Sequence, residues 1–276
     1  MLNSKELESL KKLAKVVRED IIRMSLRAKS AHMGGSLSCV EILVALYFKI
    51  MKVFPKDPEN QERDRLIFSK AHDAKTLYAT LAERGFFGRK ILEGYELDGG
   101  RLPGHTTRHC VSGVEVSAGG LGHGLSMAAG MAYVGKQDNK KFRVFAILSD
   151  GECNEGSTWE AILFAGHHKL DNLTAIVDYN KLQGFGFTKD VLDLEPFAAK
   201  WLSFGWEVKE INGHNFKEIV GILSKLPLKT GKPSVIIAHT IKGLGGVPIY
   251  VNKVSSQYRP PSEKEAIEAI KKLKIG

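Results

Sequence analysis

Apolar residues near the start of the chain fall at Leu7, Leu10, Ala14, Val17, Ile21, Met24 and Ala28, in alternating steps of three and four. That spacing lays one apolar stripe along a helix. Asn3 and Glu6 have the spacing of a capping box at its start. A second helix is expected over 37–51, and a third over 73–85 that stops at Gly85. Between them RLIFS, 65–69, reads as a short buried strand. Residues 98–125 are dense in glycine and read as loops, including around GGLGHG, 119–124. Beyond them come a helix over 125–136, a strand over 142–148, a helix over 157–170 and a strand over 173–179. A helix over 196–205, a strand over 206–211, a helix over 216–226, a strand over 234–240 and a C-terminal helix from about Ser262 complete the chain. The strands are continuous apolar runs that alternate with helices. That is the pattern of a parallel sheet covered by helices on both faces. Without a linker, repeat or low-complexity stretch, residues 1–276 are expected to form one α/β domain.

Composition narrows the function classes. The longest apolar run, VEILVALYFKIM at 40–51, contains Glu41 and Lys49 and is too short to span a bilayer. The N-terminus is charged throughout, which fits neither a signal peptide nor an anchor, so a cytoplasmic protein away from membranes is expected. Cys39, Cys110 and Cys153 lie far apart, with no zinc spacing, as in a reducing compartment. Cys153 has no activating neighbour and reads as a small side chain in a tight turn. The net charge of +9 is spread along the chain instead of interleaved with aromatics. That argues against nucleic acid and leaves a solvated surface, an acidic partner or phosphorylated ligands.

In open α/β sheets ligands bind beyond the carboxyl ends of the strands. The strand over 142–148 delivers Ser149, Asp150 and Gly151 to such an end, and the strand over 173–179 delivers Asp178, Tyr179 and Asn180. Asp150 alone reads as a helix cap and Asn180 alone as a turn residue. Together, one strand–helix–strand unit apart, they offer two hard oxygen donors suited to magnesium or calcium. Magnesium held by so few protein groups also takes phosphate oxygens, and Gly151 lets a backbone N–H approach them. His32, His72 and His105 each stand beside Gly, Ala or Pro at an element boundary, where they could bond phosphate or sugar oxygens and move protons. GGLGHG is not the spacing of a dinucleotide fingerprint.

These residues resemble the N-terminal, diphosphate-binding half of transketolase. The run SDGECNEG…AGHHKLDNLTAIVDYNKLQ, 149–183, is similar to the thiamine diphosphate signature, a GDG followed some thirty residues later by Asn. KSAHMGG, RDRLIFSKAH, LPGHTT and AGGLGHGLSMAAGMA resemble further family motifs in family order, so that the likeness runs from about residue 15 to about 245. The resemblance implies a thiamine diphosphate-binding fold with Mg2+ or Ca2+ held by Asp150, Asn180 and the Leu182 carbonyl. It implies that Gly151, Lys70, His72 and Lys242 face the diphosphate, and that Gly119, Gly120 and Leu121 lie along the rings of the cofactor. His32, His72 and His105 would contact the donor sugar and move protons. Glu155 would reach the active-site glutamate of a partner. The implied reaction is transfer of a two-carbon ketol unit from a ketose or ketose phosphate to an aldose.

The sequence also departs from the family. Ser149 replaces a glycine, Met33 a proline and His123 a glutamine. Where the family carries a second histidine near the C-terminus, this chain has VSSQYRPPSE with Gln257, and no histidine follows His239. Gln can hydrogen-bond but cannot ionise. Whole transketolases continue into pyrimidine-binding and C-terminal domains, so the resemblance implies a separate C-terminal subunit, an α2β2 assembly and sugar phosphate substrates. Rival expectations are a 2-oxo acid decarboxylase component, a 1-deoxyxylulose-5-phosphate synthase-like enzyme, a specialised-sugar ketol transferase and a non-catalytic binding subunit.

Overall fold

A computed structural model describes residues 2–275. The helices are α1 (Ser4–Ala28), α2 (Met33–Ser38), α3 (Val40–Ala45), α4 (Ala74–Arg84), α5 (Gly124–Gln137) and α6 (Gly156–His167), then α7 (Thr188–Val191), α8 (Phe197–Ser203), α9 (Phe216–Leu223), α10 (Ser255–Tyr258) and α11 (Glu263–Ile275). The strands are β1 (Arg65–Phe68), β2 (Val144–Ser149), β3 (Leu173–Tyr179), β4 (Glu207–Asn212) and β5 (Ser234–His239). On α1 the predicted stripe is buried at Leu10, Ala14, Val17, Ile21 and Met24, and the Asn3–Glu6 capping box forms in both directions. Gly85 closes α4 in the left-handed region at φ 90°.

The expected single helix over 37–51 is divided. It begins earlier, breaks at Cys39 (φ −101°, ψ 13°) and ends in a π-helical turn, Leu46–Ile50. The hydroxyls of Ser36 and Ser38 bond the carbonyls of His32 and Gly35, each at 2.8 Å, and so compete with the helical ladder. The strand expected from 142 starts at Val144, because Arg143 N–H donates to Asp64 Oδ1 at 2.8 Å and not to a neighbouring strand.

All five strands are parallel, in the order β1-β2-β3-β5-β4. Alternate residues of the apolar runs face opposite sides. Val144, Ala146 and Leu148 join a core with α5, α6 and α8, while Phe145 and Ile147 join one with α1, α3, α4, α9 and α11. This double burial explains why the strands read as unbroken apolar runs. β4 is different: it lies at the edge of the sheet, with Lys209 and Glu210 exposed.

The chain leaves β2 and β3 towards one face, into α6 and α8, and leaves β1 and β5 towards the other, reaching α4 and α11. Connections that diverge in this way open a crevice at the carboxyl ends of the strands. Among the described residues no helix is long and apolar enough to cross a membrane.

Candidate active site

The crevice is a cleft of about 650 Å³ at the carboxyl ends of β1, β2, β3 and β5. Asp150, which follows β2, is only 2% exposed. Its Oδ1 accepts Gly151 N–H at 2.7 Å, and its Oδ2 accepts Lys181 N–H at 2.6 Å from the loop after β3. Asn180 Oδ1 accepts Leu182 N–H at 3.1 Å. Both residues thus perform local capping, and both also line one cleft with Leu182. The Leu182 carbonyl accepts Lys242 Nζ at 2.8 Å. Burial, followed by the charge of Asp178, pushes the Asp150 carboxyl up to about 6. Burial pushes Lys242 down, against the pull of Asp73 and Asp150.

This donor set fits a hard divalent cation bound together with a phosphate. It comprises one carboxylate, one amide oxygen and one carbonyl, all oxygen. Among the described residues no group of three or more His, Cys, Asp or Glu could hold a metal. A cation here would therefore need further oxygens, as a diphosphate provides. A Cβ on Gly151 would lie 3.3 Å from the Gln183 side chain, so glycine keeps this approach open.

A buried charge network lies behind the cleft. Asp178, fully buried in β3, accepts Ser38 Oγ at 2.6 Å together with Lys70 Nζ and Thr240 Oγ1. Lys70 Nζ also donates to Gly35 O at 3.1 Å and lies 3.1 Å from Asp73 Oδ2. It thus makes two hydrogen bonds and pairs with Asp73 by charge, and it lends the cleft its field more than a free donor. Burial opposes ionisation of Asp73, but Lys70 and His72 outweigh it and hold the carboxyl far below the usual range. The spacing argument brings Asp178 to the end of β3 without a role, and it passes over Asp73 and Glu152. The signal was there: a charged residue within a doubly buried strand must have a partner. Glu152 is fully buried, accepts Gly122 N–H at 2.9 Å and Ser69 Oγ, and so ties the glycine-rich loop to the end of β1.

The predicted histidines are not all placed alike. His32 and His72 line the cleft with ring centroids 5.2 Å apart, and His72 Nε2 is 3.2 Å from Asp73 Oδ2. Burial pushes His32 down to about 4. His105 is exposed and does not line the cleft; its ring lies beside Gly119. Gly119 and Gly120 are also exposed, while Leu121 reaches the cleft wall. Glu155 lines the cleft but is exposed, its Cβ against Gly122. Gln257 is a further wall residue, bonded to His32. Cys153 is fully buried, and burial pushes its thiol up, so it is no nucleophile.

Residues 9–275 match the family described as the thiamine diphosphate binding domain of transketolase. The chain belongs to the transketolase family. It is 40% identical over 240 residues to one subunit of an apulose-4-phosphate transketolase from Phocaeicola vulgatus, covering 87% of this chain and 85% of that protein. It is 43% identical over 232 residues to one subunit of a 6-deoxy-6-sulfo-D-fructose transketolase from Clostridium sp., covering 84% of each. A solved transketolase from Leishmania mexicana superposes with a TM-score of 0.90 at 27% identity over 96% of this chain. The chain spans 41% of that transketolase's length. As a family member it is a transferase component with the fold of a transketolase thiamine diphosphate-binding domain.

Proposed function

We propose that this chain is the cofactor-binding subunit of a two-polypeptide transketolase in the cytoplasm. It would move a two-carbon ketol unit from a ketose or ketose phosphate to an aldose, in an α2β2 assembly with a separate C-terminal subunit. The observation that carries this reading is the cleft itself, with hard oxygen donors on Asp150, Asn180 and Leu182 and with His32 and His72 in the same cavity. Asp150, Asn180 and the Leu182 carbonyl would hold Mg2+ or Ca2+. Lys242 would turn from the Leu182 carbonyl to a diphosphate oxygen, and the Gly151 N–H and His72 would face the same group. Gly119, Gly120 and Leu121 would flank the rings of the cofactor. Thiamine diphosphate, when bound, supplies the nucleophilic carbon and the electron sink for cleaving the bond beside a ketose carbonyl.

The chain's own residues orient the sugar and handle protons. His32 and His72 reach substrate hydroxyls, with Asp73 steadying His72 at Nε2, and His105 waits at the exposed loop. Glu155, exposed at the cleft, is placed to meet a partner's carboxylate. The two relatives' names, one for a sugar phosphate and one for a sulfo-sugar, support a sugar-handling role.

Calorimetry with thiamine diphosphate and magnesium, in the presence of the partner, tests the cofactor reading; no binding would sink it. Ketol transfer assayed with and without the partner tests the two-polypeptide reading, and full activity of this chain alone would contradict it. Carbon dioxide release from pyruvate would favour a decarboxylase instead.

A further inference from the structure

Gln257, on α10, is bonded to His32 twice. Its carbonyl accepts His32 N–H at 2.8 Å, and its side-chain Nε2 lies 2.8 Å from His32 Nδ1. The first bond helps to hold His32 in the left-handed region at φ 61°, uncommon for a residue with a Cβ. The second fixes the ring. An amide nitrogen only donates, so Nδ1 must accept and the ring proton must sit on Nε2. The other side-chain amide atom, Oε1, is buried and has no partner among the described residues. A buried acceptor is costly while it lacks a donor, and an unsatisfied one in a native site calls for a reason. Gln257 lines the same cleft as Asp150 and His72, where a polyhydroxylated substrate could supply that donor.

We propose that Gln257 is a positioning and specificity residue: its Nε2 holds His32 as a neutral Nε2–H donor, and its Oε1 accepts from a hydroxyl of the sugar. The sugar half rests on the ketol-transfer reading; the tautomer half does not. A neutral amide at this place takes up no proton near neutral pH, so the pair presents one fixed donor and one fixed acceptor. A hydroxyl satisfies the acceptor. A carboxylate would set oxygen lone pairs against oxygen lone pairs, so the site disfavours 2-oxo acids and favours hydroxylated ketoses.

Nitrogen-15 NMR of the full chain, alone and with its partner, reads the tautomer directly. His32 should carry its proton on Nε2 and should not titrate between roughly pH 5.5 and 8. Q257M, similar in length but without an amide, should give mixed tautomers and a KM for the sugar donor raised about tenfold, with kcat changed less. Q257E should draw a proton onto His32 Nδ1 and make the ring titrate near neutrality. Q257H, able to donate again, should recover much of the affinity and add an ionisation to the pH profile.

A wild-type proton on Nδ1, titration of His32 near 6.5, or a Q257M variant with unaltered tautomer would each overturn the positioning role. Unaltered KM in Q257M would overturn the specificity role. If the wild type with its partner transfers no ketol unit while His32 shows the expected tautomer, the ketol-transfer reading falls with the sugar half, and the positioning of His32 stands.

Discussion

Two buried aspartates at neighbouring strand ends have opposite duties. Asp178 neutralises Lys70 inside the protein, whereas Asp150 faces the cleft with only backbone N–H donors and a carboxyl pushed up to about 6 by burial. Removing Asp178 takes from the buried Lys70 ammonium its nearer carboxylate and leaves it only Asp73. D178A is expected to lose about 3–5 kcal/mol of stability, read from urea unfolding. D150A removes a carboxylate that burial disfavours, so the fold should persist while magnesium-dependent binding of thiamine diphosphate disappears in calorimetry. A D150A protein that unfolds as readily as D178A would contradict this division. Asp150 and Asn180 were legible in the sequence because they follow strands. The position of Asp178 and its need for a partner were legible too, but the partners themselves were not, since they come from α2, from the segment after β1 and from Thr240.

Elements are bound to each other by a second charge cluster, away from the cleft. Arg18 of α1 donates to both oxygens of Glu41 on α3, at 2.7 and 2.8 Å, and His214 Nδ1 lies 3.2 Å from Glu41 Oε2. His214 Nε2 in turn accepts Ile241 N–H at 2.9 Å, beside Lys242. Burial opposes ionisation of Glu41, yet Arg18 and His214 outweigh it and bring its carboxyl down to about 2. A depressed carboxylate stabilises the fold fully above its unfolded value, near 4.5, and loses that contribution as the pH falls through about 2. E41Q should therefore cost about 3 kcal/mol at pH 7 and flatten the loss of stability between those limits, measured by unfolding across pH. Helix α1 was legible to within its capping box, because a stripe and a cap are local signals. The division of 37–51 was not: its apolar pattern continues unbroken, and the break comes from serine hydroxyls and contacts distant in sequence.

For the whole molecule, the alternating burial of β2 and β3 and the diverging connections set where a ligand can sit. Ligand binding to the folded state at a hundredfold excess over Kd stabilises by about 2.7 kcal/mol. Thiamine diphosphate with magnesium should accordingly raise the melting temperature of the wild-type assembly but leave that of D150A unmoved. The parallel α/β architecture was legible because doubly buried strands announce themselves as apolar runs. The positions of His32 and His72 in the cleft, and of His105 outside its wall, depend on how the loops fold back and are not written in spacing.

Among the described residues β4 has a neighbour on one side only, so the outer row of its backbone N–H and C=O groups lacks a strand partner there. Such a row can recruit a strand of another molecule, and charged side chains on the edge are a common guard against it. Lys209 and Glu210 occupy that strand, Glu210 with His239 Nε2 at 2.7 Å. Replacing both with valine would leave Trp206–Ile211 as a segment of high strand propensity with a single charge. K209V/E210V should keep the fold by circular dichroism but scatter light at lower temperature and concentration than the wild type. Two exposed charges would thus keep one copy of the chain from pairing with the next.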